Sequence, residues 1–445
     1  MRLGPLLASL SVVLAGTLLS APPVAAEPSA PVLSAAASYA DRATALSITA
    51  APETLVSVER TLDGAWVPAG AVTTDAEGHA TLAVAVSRLP ERNAVRATAA
   101  GLTTPYQLPL RAIATWTRVI GPATVVDERT IPLAVVRRTS EGVGVPGPVV
   151  LQRLVSGAWR SVQTLRVDTT GVARTRTQPR DDSRWRAVSP AQAWAASSVS
   201  PQVAIDNLPP GRAVMLPRSA PAPRRTLPAQ ARATGAGARP VITKIPDGVW
   251  RSMVGRSWHR GCPVGRSGLR LLRINYWDYS GYRRRGELVA AASVVRQMSG
   301  ALKDMYDARL PIRSMYRVDR FGWSGRVQGA DDYASMAAGN TSAFNCRWVV
   351  GRPGVRSPHA YGRALDVNTW ENPYRSSQGW VPNAWWPAHS DPRVAWRTSS
   401  HPVVRIMNRH GLRWTYRVSD SQHFDAVPRG GRPIVVPGCE VVVCH

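Results

Sequence analysis

The chain has 445 residues, too many for one ordinary hydrophobic core and enough for two or three domains. Its 55 Lys and Arg against 29 Asp and Glu give a formal net charge of +26, a field that favours polyanions. Its four cysteines include no CxxC pair, which argues against a cysteine zinc ribbon and fits disulfides in an oxidising compartment.

Residues 1–26 read as a secretory signal. "MRLG" is a short basic start, "PLLASLSVVLAGTLL" an apolar stretch, and "VAA" before Glu27 offers the small residues of a cleavage site. The apolar run is short for a membrane span and is followed by Pro22 and Pro23. The expectation is an exported protein without a transmembrane segment in its mature chain. A retained N-terminal anchor is the alternative.

Residues 27–200 carry an internal repeat. "ERTLDGAW" (59–66) matches "QRLVSGAW" (152–159), and "TDAEGHAT" (74–81) matches "VDTTGVAR" (167–174). Arg60/Arg153, Trp66/Trp159, Asp75/Asp168 and Gly78/Gly171 share one offset of 93, a domain-sized period. Short alternating runs such as "ATLAVAV", parted by Gly, Asp and Pro, predict two Ig-like β-sandwich repeats, 27–111 and 112–200. The Asp-x-x-Gly pairs read as hairpin turns, and Trp66 and Trp159 as core residues. Residues 201–245, rich in Pro, Ala and Arg, read as an extended, semi-stiff linker.

Residues 246–445 change character, with 11 of the 16 tryptophans and seven of the eight histidines. Leu288, Ala292, Val295, Met298, Leu302 and Met305 recur every three or four positions, which predicts an amphipathic helix across "GELVAAASVVRQMSGALKDMYDARL". "LRLLRINYWDY", "RALDVNTW" and "GLRWTYRV" read as strands, so this domain is expected to be α+β. The charge is uneven. Residues 27–200 hold 18 basic and 14 acidic residues, 201–245 hold seven and one, and 246–445 hold 29 and 14.

The chemistry gathers in two stretches. "SPHAYGRALDV" places His359 seven residues before Asp366, too far for two ligands of one ion unless the chain reverses, and Tyr361-Gly362 is the place for that. Beyond the turn, Asp366 shares a strand face with Ala364, while Leu365 and Val367 point the other way. "SDSQHFDAV" adds His423, with Asp420 three residues before it and Asp425 two after. Two histidines, one carboxylate and an open position make a catalytic zinc site, and a further carboxylate suits a general base. Asp420 fits that role, with Asp425 in reserve. Trp370, Trp380, Trp385, Trp386 and Trp396 lie between the motifs and either line a cleft or pack on one another.

These motifs carry a resemblance. "SPHAYGRALD" resembles the S-x-H-x-x-G-x-A-x-D motif of the zinc D-Ala-D-Ala carboxypeptidases, bacterial cell-wall peptidases related in fold to Hedgehog signalling domains. "DSQHFD" resembles the second motif of that family, and "DDYASMAAGNTSAFNCR", "GCPV" and "GELV" resemble further blocks, so the likeness runs from about 262 to 427. It implies a Hedgehog/DD-peptidase-like fold and Zn2+ held by His359, Asp366 and His423. It implies Asp420 as base and an arginine for the oxyanion, Arg347 first and Arg317 second. Ser357 would orient His359, its turn or the substrate. The implied substrate is peptidoglycan stem peptide, cut as a carboxypeptidase or as an L,D- or D,D-endopeptidase outside the cell at the wall, with anionic wall polymers as further partners. The alternative is an envelope-binding protein with a structural zinc site. The signal stretch and the lack of a recognised binding motif speak against nucleic acid. Many relatives have Glu where this chain has Asp420, and "GLRWTYRV" departs from the glycine-rich family segment. Of three possible disulfide pairings, Cys439–Cys444 closing a small loop would leave Cys262–Cys346 as a staple.

Overall fold

In the computed structural model, residues 29–349, 352–376, 378–428 and 431 are described. The signal stretch and Cys439 and Cys444 lie outside them. The chain divides into two units. One takes in the chain up to Ile120 with 134–175 and 185–202; the other takes in 121–133, 176–184 and everything from Val203 onward.

The first unit is β-rich. The alternating run around "ATLAVAV" becomes strand His79–Ala85, paired with Ala43–Thr49, which in turn pairs with Val32–Ala35. A second sheet of four strands runs Ala65–Thr73, Leu55–Leu62, Ala94–Ala99, Leu102–Gln107. Leu46, Ile48, Val56, Val58, Val84 and Val95 are fully buried between them. In the second repeat, Gly147–Val155 pairs with Ala158–Val167 and with the strand that contains Trp185. Both Asp-x-x-Gly segments are turns, but not the expected hairpins, because each carries the chain from a strand of one sheet (Ala65–Thr73, Ala158–Val167) to a strand of the other (His79–Ala85, Val172–Thr177). Asp75 Oδ1 accepts from the His79 N–H at 2.6 Å and Asp168 Oδ1 from the Val172 N–H at 3.1 Å, with Gly78 and Gly171 at φ +82° and +84°.

The core reading of the two tryptophans is overturned. Trp66 is 36% exposed, and Trp159 is half-buried on the outward face of its strand. The large core indoles of this unit are Trp185 and Trp194. Trp66 and Trp159 each lie under an arginine instead, which lets a big apolar ring stay at the surface.

In the second unit, Leu269–Trp277 and Arg283–Ala291 form an antiparallel pair, extended at one edge by Val241–Thr243. The expected long helix is shorter than its periodicity suggested. Its first six residues, "GELVAA", belong to strand Arg283–Ala291, and the helix spans Val295–Asp307. A short apolar run fits a buried strand as well as a helix, and pairing with Leu269–Trp277 decides here. The helix buries Val295, Met298, Leu302 and Met305 against the first sheet and against helix Pro402–Arg409. A second small sheet, Ala364–Asp366, His423–Ala426 and Leu412–Arg413, shares that core through Leu365, Phe424 and Leu412. "GLRWTYRV" contributes only the two-residue strand Leu412–Arg413.

The Pro/Ala/Arg-rich segment runs extended but is laid along this unit. Gln230 accepts from the Tyr276 hydroxyl at 2.7 Å and the Met315 N–H at 2.8 Å, the Trp370 indole donates to the Pro221 carbonyl at 2.7 Å, and Ala238 is buried. Residues 121–133 and 176–184 join the same unit through Glu128–Arg283 and through Arg232, which donates to the Arg180 carbonyl at 3.1 Å. Cys262 and Cys346 form a disulfide with a Cα–Cα separation of 5.9 Å.

Candidate metal centre

The turn that His359 and Asp366 require is present. Ser357 caps a single 3-10 turn, Pro358–Tyr361, with its Oγ accepting the His359 N–H at 3.3 Å. Gly362 ends it at φ +65°, in the left-handed region that favours glycine. The chain then enters strand Ala364–Asp366. This strand pairs antiparallel with His423–Ala426 in the register Ala364↔Asp425, Leu365↔Phe424, Asp366↔His423. Leu365 and Phe424 face the core, so the alternate residues Asp366, His423 and Asp425 share the other face.

Donor atoms of three residues converge there. His359 Nε2 lies 3.2 Å from Asp366 Oδ2, His423 Nδ1 lies 3.2 Å from Asp366 Oδ1, and the two imidazole nitrogens are 3.2 Å apart. Tetrahedral zinc with bonds of about 2.0–2.1 Å separates its ligand atoms by roughly 3.3 Å, so the spacing fits. All three residues are at most 2% exposed.

The outer partners select these atoms. His359 Nδ1 lies 2.6 Å from the Ala343 carbonyl, which makes Nδ1 the donor and turns the Nε2 lone pair inward. His423 is oriented the other way. Its Nε2 lies 3.1 Å from Asp425 Oδ1, and the Thr415 hydroxyl donates to Asp425 Oδ2 at 2.5 Å. Asp425, held in reserve as a base, therefore stands behind His423. Burial alone would depress the His423 pKa, but Asp425 and Asp366 outweigh it and push it up to about 10. Burial raises the Asp425 carboxyl, and His423 overcomes this and holds it below its usual range.

Asp420 is fully buried, and its backbone position is over-determined. It bridges to Tyr374, the Ser421 N–H donates to the Pro373 carbonyl at 3.4 Å, and the indoles of Trp396 and Trp414 both donate to the Ser421 carbonyl, at 2.5 and 3.0 Å. Arg347 is fully buried with Nη2 2.9 Å from Asp332 Oδ2, and its carbonyl accepts the Ser357 N–H at 3.1 Å, which ties it to the His359 turn. Burial above all pushes the Tyr374 hydroxyl well above its usual value; Tyr333, Asp332 and Asp420 raise it further and Arg347 opposes them. Tyr374 thus lies in the combined field of Arg347 and Asp420. Arg317 instead engages Asp319, Glu287 and Ser252 at 3.1–3.2 Å.

The tryptophans between the motifs divide, most of them packing and Trp380 lining a pocket beside Tyr333 and Asp331. Trp370, Trp386 and Trp396 are at most 1% exposed, while Trp380 is half-buried. Sequence reasoning missed Tyr374, Asp332, Thr415 and the two indoles on Ser421. The role of Asp425 was within reach, since residues two apart on a strand share a face. His259, Cys262 and Cys346 also converge, but the two sulfurs are spent on the disulfide.

Residues 350–426 match the family model of D-alanyl-D-alanine carboxypeptidase. The matched segment contains His359, Asp366, Asp420 and His423. No curated protein matches the chain. Among solved structures, a tetra-tandem repeat from the extending region of a large adhesion protein is similar at 14% identity and a TM-score of 0.29. It covers 59% of this chain, and the chain covers 63% of it. The bacterial integrin-binding protein invasin is similar at 12% identity and a TM-score of 0.27, covering 57% of this chain with 48% of its own length covered. Likenesses this slight carry neither fold nor role. Among the described residues no helix is long and apolar enough to cross a membrane.

Proposed function

We propose that the second unit is a zinc metallopeptidase that hydrolyses a peptide bond in peptidoglycan stem peptides, as a D-alanyl-D-alanine carboxypeptidase or an L,D- or D,D-endopeptidase. The observation that carries this reading is the buried convergence of His359 Nε2 and His423 Nδ1, 3.2 Å apart and each 3.2 Å from one oxygen of Asp366, inside the segment that matches the carboxypeptidase family. Zinc, when held, supplies a Lewis acid and brings the pKa of water down to about 7.

The chain's own residues do the rest. Asp420 takes the proton of the attacking water and returns it to the leaving amine. The buried Arg347 guanidinium stabilises the negative charge that develops on the carbonyl oxygen. Ser357 fixes the turn that carries His359. We place the catalytic domain at 246–445 with a Hedgehog/DD-peptidase-like α+β fold, preceded by the linker 201–245. The repeats 27–111 and 112–200 are Ig-like sandwiches that serve as spacers or wall-binding modules. Residues 1–26 act as a signal that sends the protein to the wall.

Digestion of purified peptidoglycan with and without a chelator, read by mass, tests this. Release of D-alanine or of a cut stem peptide, abolished by the chelator and by His359→Ala, is expected. Full hydrolysis after chelation and in His359→Ala overturns the reading.

A further inference from the structure

Trp66 and Trp159 occupy equivalent places in the two repeats, and each belongs to a trio of side chains on the outward face of its sheet. In the first repeat, Trp66 lies opposite Thr61, one strand from the register pair Glu59↔Arg96. The Arg96 guanidinium sits 4.6 Å from the indole centroid, and its Nε donates to Glu59 Oε2 at 2.6 Å. In the second repeat, Trp159 lies opposite Leu154, beside the register pair Gln152↔Arg186. The Arg186 guanidinium sits 4.5 Å from the indole centroid, and its Nε donates to Gln152 Oε1 at 2.8 Å. The geometry is duplicated and one atom type differs. Where the first copy has a carboxylate, the second has a neutral amide.

That change alters what the guanidinium can do. Glu59 neutralises Arg96. Gln152 holds Arg186 in the same pose over the same kind of ring with a neutral amide, and among the described residues no carboxylate forms an ion pair with it. The surroundings diverge in the same sense. Residues 29–111 carry six arginines against seven acidic residues, whereas 134–175 and 185–202 carry seven arginines against two. The first copy also shows what chemistry the pose accepts, since a carboxylate already rests on its guanidinium.

We propose that the Trp159–Arg186–Gln152 trio is a binding site for a carboxylate-bearing polyanion, with Trp159 holding the guanidinium flat and Arg186 presenting its Nη groups to the carboxylate. The excess of arginine over acidic residues in this part of the chain adds a favourable field for a repeating anion. The trio of the first repeat is the neutralised counterpart and does not bind. This site is independent of the zinc reading.

The test is retention of the full chain on immobilised polygalacturonate, with neutral dextran as control. Gln152→Glu, which recreates the first copy's charge balance, and Trp159→Ala should each weaken binding by about tenfold. Glu59→Gln should strengthen it, and Trp66→Ala should leave it unchanged. Because Gln152→Glu is nearly isosteric on an outward face, it tests charge without risking the fold. Binding unmoved by Gln152→Glu and Trp159→Ala, or equally strong on dextran, overturns the proposal.

Discussion

Asp366 and His423, 57 residues apart in sequence, lie directly opposite each other on adjacent antiparallel strands, with Asp366 Oδ1 3.2 Å from His423 Nδ1. Cross-strand neighbours have Cβ atoms about 4.5–5.5 Å apart, so strand register brings two of the three donors together. Slipping that register by one residue would put Leu365 or Phe424 in their place. The burial of Leu365 and Phe424 in the core is thus what fixes the site.

The support behind His423 should be measurable as metal affinity. Asp425→Ala leaves the three donors in place but removes the acceptor that orients the ring. Losing the partner that holds a ligating imidazole in place costs about 10–100-fold in metal affinity. Competition with a chelating dye should show that loss for Asp425→Ala, near-complete loss for His423→Ala, and little change for Thr415→Val.

Chelated protein should also show a particular pH dependence. The folded His423 pKa is raised from 6.5 to about 10, so the protonated imidazole stabilises the fold fully below pH 6.5, and this contribution is lost as pH rises toward 10. Thermal unfolding with chelator should therefore show falling stability across that window, and His423→Gln should flatten the fall. Zinc binding requires the neutral ring, so affinity should rise with pH over the same range and binding should release protons. Titration in two buffers of different protonation enthalpy reads that release.

Much of the site was legible because its constraints are local. The interval from His359 to Asp366 demanded a reversal, and Gly362 supplied it. The alternation Ala364, Leu365, Asp366, Val367 named its own inner and outer faces. What was not legible depends on distant partners. The Ala343 carbonyl behind His359, the indoles of Trp396 and Trp414 on Ser421, and the Asp332–Arg347 pair are tertiary contacts without local periodicity. The helix boundary failed for a related reason. "LVAA" (288–291) is apolar throughout, and only its pairing with Leu269–Trp277 makes it a strand. For Trp66 and Trp159, residue type suggested the core, but stacking under Arg96 and Arg186 keeps them on the outer face.

Gly362 should resist substitution. It sits at φ +65°, and an added Cβ would come within 2.7 Å of the Ala291 nitrogen, a backbone atom. Gly362→Ala should cost about 1–3 kcal/mol in a denaturant titration. Because the same turn carries His359, zinc affinity should fall with it, which distinguishes this variant from a core cavity of equal cost.

The Cys262–Cys346 disulfide closes a separation of 84 residues. On loop-entropy grounds it contributes about 4–5 kcal/mol. A Cys262→Ala/Cys346→Ala double variant should unfold at correspondingly lower guanidinium concentration. Reductant should produce the same shift in the wild type and none in the variant.

Asp420→Asn separates holding the metal from doing the chemistry. Asparagine keeps the shape of the side chain, and the backbone is pinned by Tyr374 and by the two indoles on Ser421, so the fold and the three donors should be preserved. The amide cannot take a proton, and loss of a positioned general base costs about 10²–10⁴-fold in rate. The expected result is zinc content and KM near wild type with kcat reduced by that factor on a stem-peptide substrate. Asp420→Glu should retain more activity than Asp420→Asn, since a longer carboxylate can still accept the proton while meeting more crowding in a fully buried position. If Asp420→Asn hydrolysed the peptide at the wild-type rate, the base would have to be another group, and Asp425, already committed to His423 and Thr415, would be poorly placed to serve.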